Sequence, residues 1–395
     1  MADTTFPAKL PAAEWTARAD LAELFRAIDP EGDSARYVGG AVRDTLLDIP
    51  VHDIDVATKH EPDEILSRLK AAGIRSVPTG LAHGTVTAIL PGGPVEITTL
   101  RRDVSTDGRR ATVAFANNWE DDAARRDFTI NALYADPRTL DVYDYFGGLT
   151  DLAARRLRFI GDADMRIRED YLRILRYFRF QARFGSLPAD PVAEQACSDL
   201  APGMKGLSRE RIGWELLALL ALPAPASTVQ RMAELGVLKE VLPEADPAPL
   251  FTLQEMEQRE QVAPDALRRL AAMLPAETGL AEQVAARLRL SIAQRKRLSN
   301  AGARDGTAPD ARALAYRLGR EEAIDRLLLV GASTAPLHGW ENPTFPLKGG
   351  EIVAMGVGKG PEVARLLQAV EARWIAESFP NRERVLELLK AEMQG

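Results

Sequence analysis

Two aspartates stand one residue apart in HDIDVAT, Asp53 and Asp55. If the segment is a strand, side chains alternate and both carboxylates share one face. Two such anions repel each other unless a cation sits between them. Mg2+ suits that position, being a hard ion taken up by one or two carboxylates together with phosphate oxygens. Taken alone, the pair is better read as a solvated edge strand. Its setting changes that reading. Just upstream, in YVGGAVRDTLL, a short apolar run stops at Gly39 and Gly40 and a helix start follows. Glycine lets the backbone approach a ligand closely. A helix N-terminus offers unbonded N–H groups to an anion, and Arg43 adds a fork of donors for phosphate oxygens. A tight strand–helix turn would explain the glycines alone, and their spacing is not GxGxxG. The combination fits a nucleoside triphosphate held with Mg2+.

The run GGAVRDTLLDIPVHDID resembles the GGxVRD…DxD head motif of the tRNA nucleotidyltransferase and bacterial poly(A) polymerase family. These are polymerase-β-like nucleotidyltransferases. Glu96, in PVEITTL, resembles their third carboxylate on a neighbouring strand, although without the DxD it reads as an exposed strand residue. RRDFTINAL, residues 125 to 133, matches the RRDxxxNA motif without a gap. The resemblance implies that Arg126 contacts phosphate and that Asp127 and Asn131 hold the ribose and its 2′-OH. The chemistry agrees, since a carboxylate accepts from a hydroxyl and an amide both donates and accepts. The arginine-rich stretch 101–120 reads as a loop, and in the family this position is a flexible element. His83, in LAHGT, reads as structural. Gly148 and Asp151, in DYFGGLTDL, resemble a structural connection between head and neck.

REDYLRILRYFRF supplies a further match, EDxxR, through Glu169, Asp170 and Arg173, with Arg176 and Arg179 at three-residue steps. On one helix, Leu172, Leu175 and Phe178 form an apolar stripe with the arginines beside it. A surface helix with a Glu169–Arg173 ion pair has the same pattern. In the family reading, Asp170 accepts from the exocyclic amine of cytosine or adenine, and Arg173 donates to the adjacent unprotonated ring nitrogen. Uracil and guanine present the opposite polarity there. Arg176 and Arg179 then face phosphate, and the tail GVGKGPEVARLL offers Lys359 and its glycines to a tRNA backbone.

The elements that position these groups change character along the chain. Strand-like runs (ARYVGG, HDIDVAT, HGTVTAIL, LDVYDYF) and a hairpin at LPGGPVEI fill the first part. From about residue 160 the apolar spacing is helical. The expected fold is α+β: an N-terminal polymerase-β-like nucleotidyltransferase head, then an all-α neck, body and tail. The expected divisions are 1–145 for the head, 146–205 for a base-recognising neck, 206–280 for the body and 281–395 for a tRNA-binding tail. The Pro- and Glu-rich DPAPLFTLQEMEQREQVAPDA reads as a joint between helical parts.

Bulk properties narrow the classes. The 395 residues carry a net charge of −7, which argues against coating nucleic acid by bulk charge. The single cysteine, Cys197, and four histidines offer neither an internal disulfide nor an HExxH-type metal site. No apolar stretch is long enough for a membrane span, and no secretory signal is expected, so a cytoplasmic protein is the expectation. The resemblance implies template-independent addition of C, C and A to a tRNA 3′ end from CTP and ATP, with Mg2+. The alternatives are a poly(A) polymerase or CC-adding enzyme of the same family, or an inactive RNA-binding protein on this scaffold. The basic G-R/K-R/K-F run associated with bacterial poly(A) polymerases is absent, with TGLAHGTVT in its place. No metal carboxylate or RRD residue is missing, which argues against an inactive scaffold. Oligomeric state is left open.

Overall fold

A computed structural model describes residues 9–107, 110–307 and 310–394. It divides into two compact units, the first ending at Pro243 and the second running from Glu244.

The first unit is built on a seven-stranded sheet in the order β3-β4-β5-β2-β1-β8-β9. Its strands are β1 (Ala35–Val38), β2 (Ile54–Thr58), β3 (Ser76–Gly80), β4 (Thr85–Leu90), β5 (Gly93–Thr99), β8 (Leu133–Ala135) and β9 (Val142–Asp144). The Pro91–Gly92 turn joins β4 to β5 with Leu90 opposite Gly93, as the hairpin signal predicts. β2 and β5 are parallel neighbours, so Asp55 lies beside Glu96. The stretch expected to be a loop is instead an antiparallel ribbon of β6 (Arg101–Asp107) and β7 (Arg110–Phe115). Alternating Thr, Val and Ala suit strands, but the arginines hide the period; residues 108 and 109 lie outside the described residues.

Helix α1 (Ala19–Ile28) precedes the sheet, α2 (Gly40–Leu46) and α3 (Pro62–Ala71) lie in its connections, and α4 (Trp119–Ala124) and α5 (Gly148–Ala153) follow later. After β9 the described residues form no further strand. The unit continues through α6 (Ala163–Glu169), α7 (Leu172–Phe184), α8 (Pro191–Leu200), α9 (Arg209–Leu220), α10 (Ala226–Glu234) and α11 (Leu238–Val241). The expected single helix across the EDxxR motif is two. Asp170 is extended (φ −155°, ψ 104°) and its carboxylate accepts from the Leu172 N–H at 3.1 Å, so it starts α7 rather than continuing α6. The apolar stripe survives on α7, where Leu172, Leu175 and Phe178 are buried. Aromatic packing of Phe180 on Phe128 (5.4 Å) fastens α7 to the segment before β8, and packing of Tyr177 on Phe159 (5.8 Å) fastens it to the connection between α5 and α6.

The second unit is helical: α12 (Ala248–Arg259), α13 (Ala266–Met273), α14 (Thr278–Arg287), α15 (Ile292–Gly302), α16 (Ala311–Leu318), α17 (Arg320–Leu329), α18 (Gly349–Ala354), α19 (Pro361–Ala376) and α20 (Arg382–Gln394). The presumed Pro/Glu-rich joint is mostly α12. Leu250, Leu253 and Met256 recur at helical spacing and are buried, and Glu257 is buried with them against arginines. Pro361 opens α19, as its position after Gly360 predicts. Among the described residues no helix is long and apolar enough to cross a membrane.

Candidate active site

A cleft of about 650 Å³ opens in the first unit. Gly39, Gly40, Arg43, Asp53, Asp55, Arg126, Asp127, Asn131, Asp170, Arg173, Arg176 and Arg179 all line it. Glu96 does not. It is exposed on β5, beside Asp55 in the parallel register.

Gly39 has φ +70° and caps the start of α2; a Cβ there would approach the Arg126 guanidinium at 3.4 Å. The turn therefore needs glycine for its backbone angle. Asp53 precedes β2 and Asp55 lies within it, half-buried. Burial, and then the Glu96 carboxylate, push Asp55 above its usual range; Arg126 opposes them and Asp53 adds to them. That is a group short of positive charge. Among the described residues no three His, Cys, Asp or Glu side chains converge as a ligand cluster. The site offers two carboxylates, a donor set that suits a hard divalent cation completing its shell with phosphate oxygens and water rather than a closed protein cage.

Arg43 is not the free fork expected. It is buried, donates from Nε to Asp44 at 2.7 Å and from a terminal nitrogen to the Asn131 side-chain oxygen at 2.5 Å, and lies 4.1 Å from the Phe184 ring. Burial lowers its pKa from the usual range despite Asp44. Its evident effect is to orient Asn131. Thr129–Asn131 is a single 3-10 turn leading into β8. Through that turn the Asn131 amide donates to Asp127 at 3.1 Å, the (i, i+4) pair seen in the sequence. The other Asp127 oxygen accepts from Arg176 at 2.8 Å. Burial alone would raise Asp127, but Arg176 and Asn131 hold it down at about 2. Arg126 donates to Asp122 at 3.1 Å and to the Tyr134 hydroxyl at 3.2 Å.

Asp170 and Arg173 both reach the cleft but are not paired with each other. Asp170 accepts from Arg211 at 2.5 Å. Arg173 bonds Glu169 and the Arg166 carbonyl, the latter at 2.7 Å. The (i, i+4) ion pair of the surface-helix reading thus exists, across the α6–α7 break, and leaves Arg173 facing the cleft. Arg179 donates to Glu215 at 2.6 Å, and Arg176 lies 3.5 Å from the same carboxylate. Neither is a free phosphate ligand; both are ion-paired from behind.

Arg211, Glu215, Arg125 and Phe180 complete or support the cleft and were not singled out from sequence, and Leu172, read there only as part of the apolar stripe, lines it too. The signal was present in RIGWE, where Arg211 and Glu215 stand at (i, i+4). Gly148 and Asp151 are structural. A Cβ on Gly148 would sit 2.3 Å from the Thr129 carbonyl oxygen, and buried Asp151 accepts from Thr129 and Arg158 at 2.7 and 3.0 Å. His83 contributes its carbonyl to Arg101 at 2.6 Å.

Known proteins share this organisation. Residues 35–158 match the family described as "Poly A polymerase head domain", and residues 189–248 match "Probable RNA and SrmB- binding site of polymerase A". The fold is that of the Bacillus stearothermophilus CCA-adding enzyme in complex with CTP (TM-score 0.73, 24% identity, 95% of this chain and 97% of that one). It is equally that of the Thermotoga maritima enzyme complexed with tRNA (TM-score 0.70, 21% identity, 96% and 97%). The mitochondrial CCA tRNA nucleotidyltransferase 1 of Danio rerio is 34% identical over 90% of this chain and 85% of its own. The human counterpart is 34% identical over 94% and 89%. With that identity over most of both chains, the chain belongs to the CCA tRNA nucleotidyltransferase family.

Proposed function

We propose that this protein adds C, C and A in turn to the 3′ end of tRNA, taking them from CTP and ATP and releasing diphosphate. One observation carries the proposal. Three groups far apart in the chain line a single cleft: the carboxylates Asp53 and Asp55, the Asp127–Asn131 pair, and the Asp170 and Arg173 side chains. That set matches the three parts of a ribonucleoside triphosphate: metal-bound phosphates, sugar and base.

Asp53 and Asp55 would hold Mg2+, which when bound lowers the pKa of an attacking 3′-OH and stabilises the leaving oxygens. Glu96 stands beside them as a third carboxylate. Asp127, kept ionised by Arg176, accepts from the ribose 2′-OH, and Asn131, oriented by Arg43, fixes the sugar. Arg126, at the Gly39 turn, faces the phosphates. Asp170 accepts from the amine of cytosine or adenine while Arg173 donates to the ring nitrogen. Glu169 and Arg211 hold these two side chains, so selection needs no nucleic-acid template. Residues 1–145 serve as head, 146–205 as neck, 206–280 as body, and 281–395 as a tail that binds tRNA.

The test is incubation with tRNA lacking its CCA end, Mg2+, and CTP and ATP separately and together. CTP alone should add two residues, ATP alone none, and the mixture three. Long adenylate tails from ATP alone would instead identify a poly(A) polymerase, and arrest after two residues in the mixture a CC-adding enzyme.

A further inference from the structure

Trp214 is 62% exposed, whereas the other four tryptophans are buried or half-buried. It sits on α9 three residues after Arg211, which lines the cleft, and immediately before Glu215, which holds Arg179 at 2.6 Å. The Arg179 guanidinium lies 5.6 Å from the Trp214 ring and 4.7 Å from the Phe180 ring. Arg179 and Phe180 both line the cleft. A ladder of ring, guanidinium and ring therefore runs from solvent into the site. Its middle rung is fixed by a buried carboxylate.

An exposed indole beside a fixed cation at the rim of an arginine-lined cleft is the arrangement that takes an unpaired nucleobase. The base stacks on the ring, which the guanidinium steadies from its side. Glu215 satisfies Arg179 from behind and so pre-orders the platform. We infer that Trp214 is a stacking platform for a base at the unpaired 3′ end of the RNA primer, seating that end before each addition. The inference rests on the proposed reading of the cleft as the site where tRNA is extended.

The experiment compares Trp214→Ala, Trp214→Leu and Trp214→Phe with the unaltered protein in CMP addition to tRNA lacking its CCA end. Loss of a stacked base should raise KM for tRNA by roughly tenfold in the Ala and Leu variants. KM for CTP should stay unchanged, and Phe should restore most of the loss. A second readout is independent of chemistry: quenching of 2-aminopurine placed at the unpaired 3′-terminal position of the RNA, without CTP or Mg2+. Quenching should be retained with Phe and lost with Ala and Leu. Equal behaviour of Leu and Phe, a parallel rise in KM for CTP, or full quenching with Ala would each overturn the platform. Extension of tRNA by the unaltered protein together with unaffected variants would remove the platform and leave the proposed function standing. Quenching by a protein that extends no tRNA would do the reverse.

Discussion

Asp127 is held by the Asn131 amide, the Arg176 guanidinium and the Phe128 N–H, the last at 2.9 Å, and this makes it a strong, ionised acceptor. If it holds the ribose 2′-OH, Asp127→Ala should lose a hydrogen bond to a charged group, worth roughly 1.5–3 kcal/mol. The preference for CTP over dCTP should fall by about tenfold or more in single-turnover assays; an unchanged preference would confine Asp127 to supporting Asn131 and Arg176. The base reader gives a second expectation. Arg173→Ala and Asp170→Asn should keep metal and phosphate contacts while UTP and GTP become substrates, with discrimination falling roughly one to two decades in each. The Asp170–Arg211 bond adds a consequence. Arg211→Ala should reduce the same discrimination less than Asp170→Asn does, because it loosens the acceptor without removing it. Retention of strict CTP and ATP use in all three variants would reduce the EDxxR motif to an ion-paired helix start.

Helix α9 is the backing of the cleft. Glu215, 1% exposed, neutralises Arg179 and approaches Arg176, so two arginines of α7 stand in fixed rotamers toward the site. Removing one partner of a buried ion pair leaves uncompensated charge and costs more than the pair itself contributes. Glu215→Ala should therefore lower the thermal midpoint and raise KM for CTP together, and Glu215→Gln should recover part of each. A fall in stability with unchanged KM would limit Glu215 to packing. The connection before α5 has a sharper geometric demand. Any side chain on Gly148 meets the Thr129 carbonyl, a backbone atom that cannot rotate away. Gly148→Ala should destabilise by about 1–3 kcal/mol, read as a lower denaturant midpoint, and should disturb the turn that carries Asn131.

The two compact units carry separate charged cores, which predicts separable stability effects. In the second unit Glu257 accepts from Arg268 at 2.7 Å and Arg269 at 2.9 Å, and Asp325 accepts from Arg268 and Arg297 at 2.9 and 2.6 Å, with little solvent contact. Glu257→Ala should cost about 3–5 kcal/mol by removing the buried carboxylate that Arg268 and Arg269 share. Affinity for CTP, proposed for the cleft of the first unit, should not change. A pH response is expected in the first unit. Asp122 and Asp127 are both held near pKa 2, below the ordinary 3.8, because their arginine partners outweigh the opposing effect of burial. Depressed carboxylates stabilise the fold fully above the unfolded value and lose that contribution as pH falls through the folded one. Hydrogen exchange should therefore show first-unit amides losing protection as pH drops from 3.8 toward about 2, and Asp122→Asn should flatten that dependence.

Local chemistry was legible without a structure. The alternation in HDIDVAT marked β2, with Asp55 in it and Asp53 just before it, PGG marked the β4–β5 hairpin, and Pro361 marked the start of α19, because each signal acts over a few residues of backbone. Asp127, Asn131, Asp170 and Arg173 were also legible, as motif matches at fixed spacing, and all reach the cleft. What spacing does not encode is which partner a charged side chain meets. Arg43 was read as a phosphate fork, yet its donors go to Asp44 and Asn131; Arg176 and Arg179 were read as facing phosphate, yet each is paired to a carboxylate on another element. The break at Asp170 was hidden because the apolar stripe of α7 runs on in phase with α6, and only the Asp170 side chain capping Leu172 ends the first helix. The strands β6 and β7 and the helix α12 were obscured by composition, arginine in one case and proline with glutamate in the other. Periodicity and turn chemistry are properties of neighbouring residues, so the chain alone determined the elements and the candidate groups. Ion-pair partners, the backing role of Glu215 and the exposure of Trp214 depend on which elements pack together, and only the folded arrangement of α7, α9 and the sheet decided them.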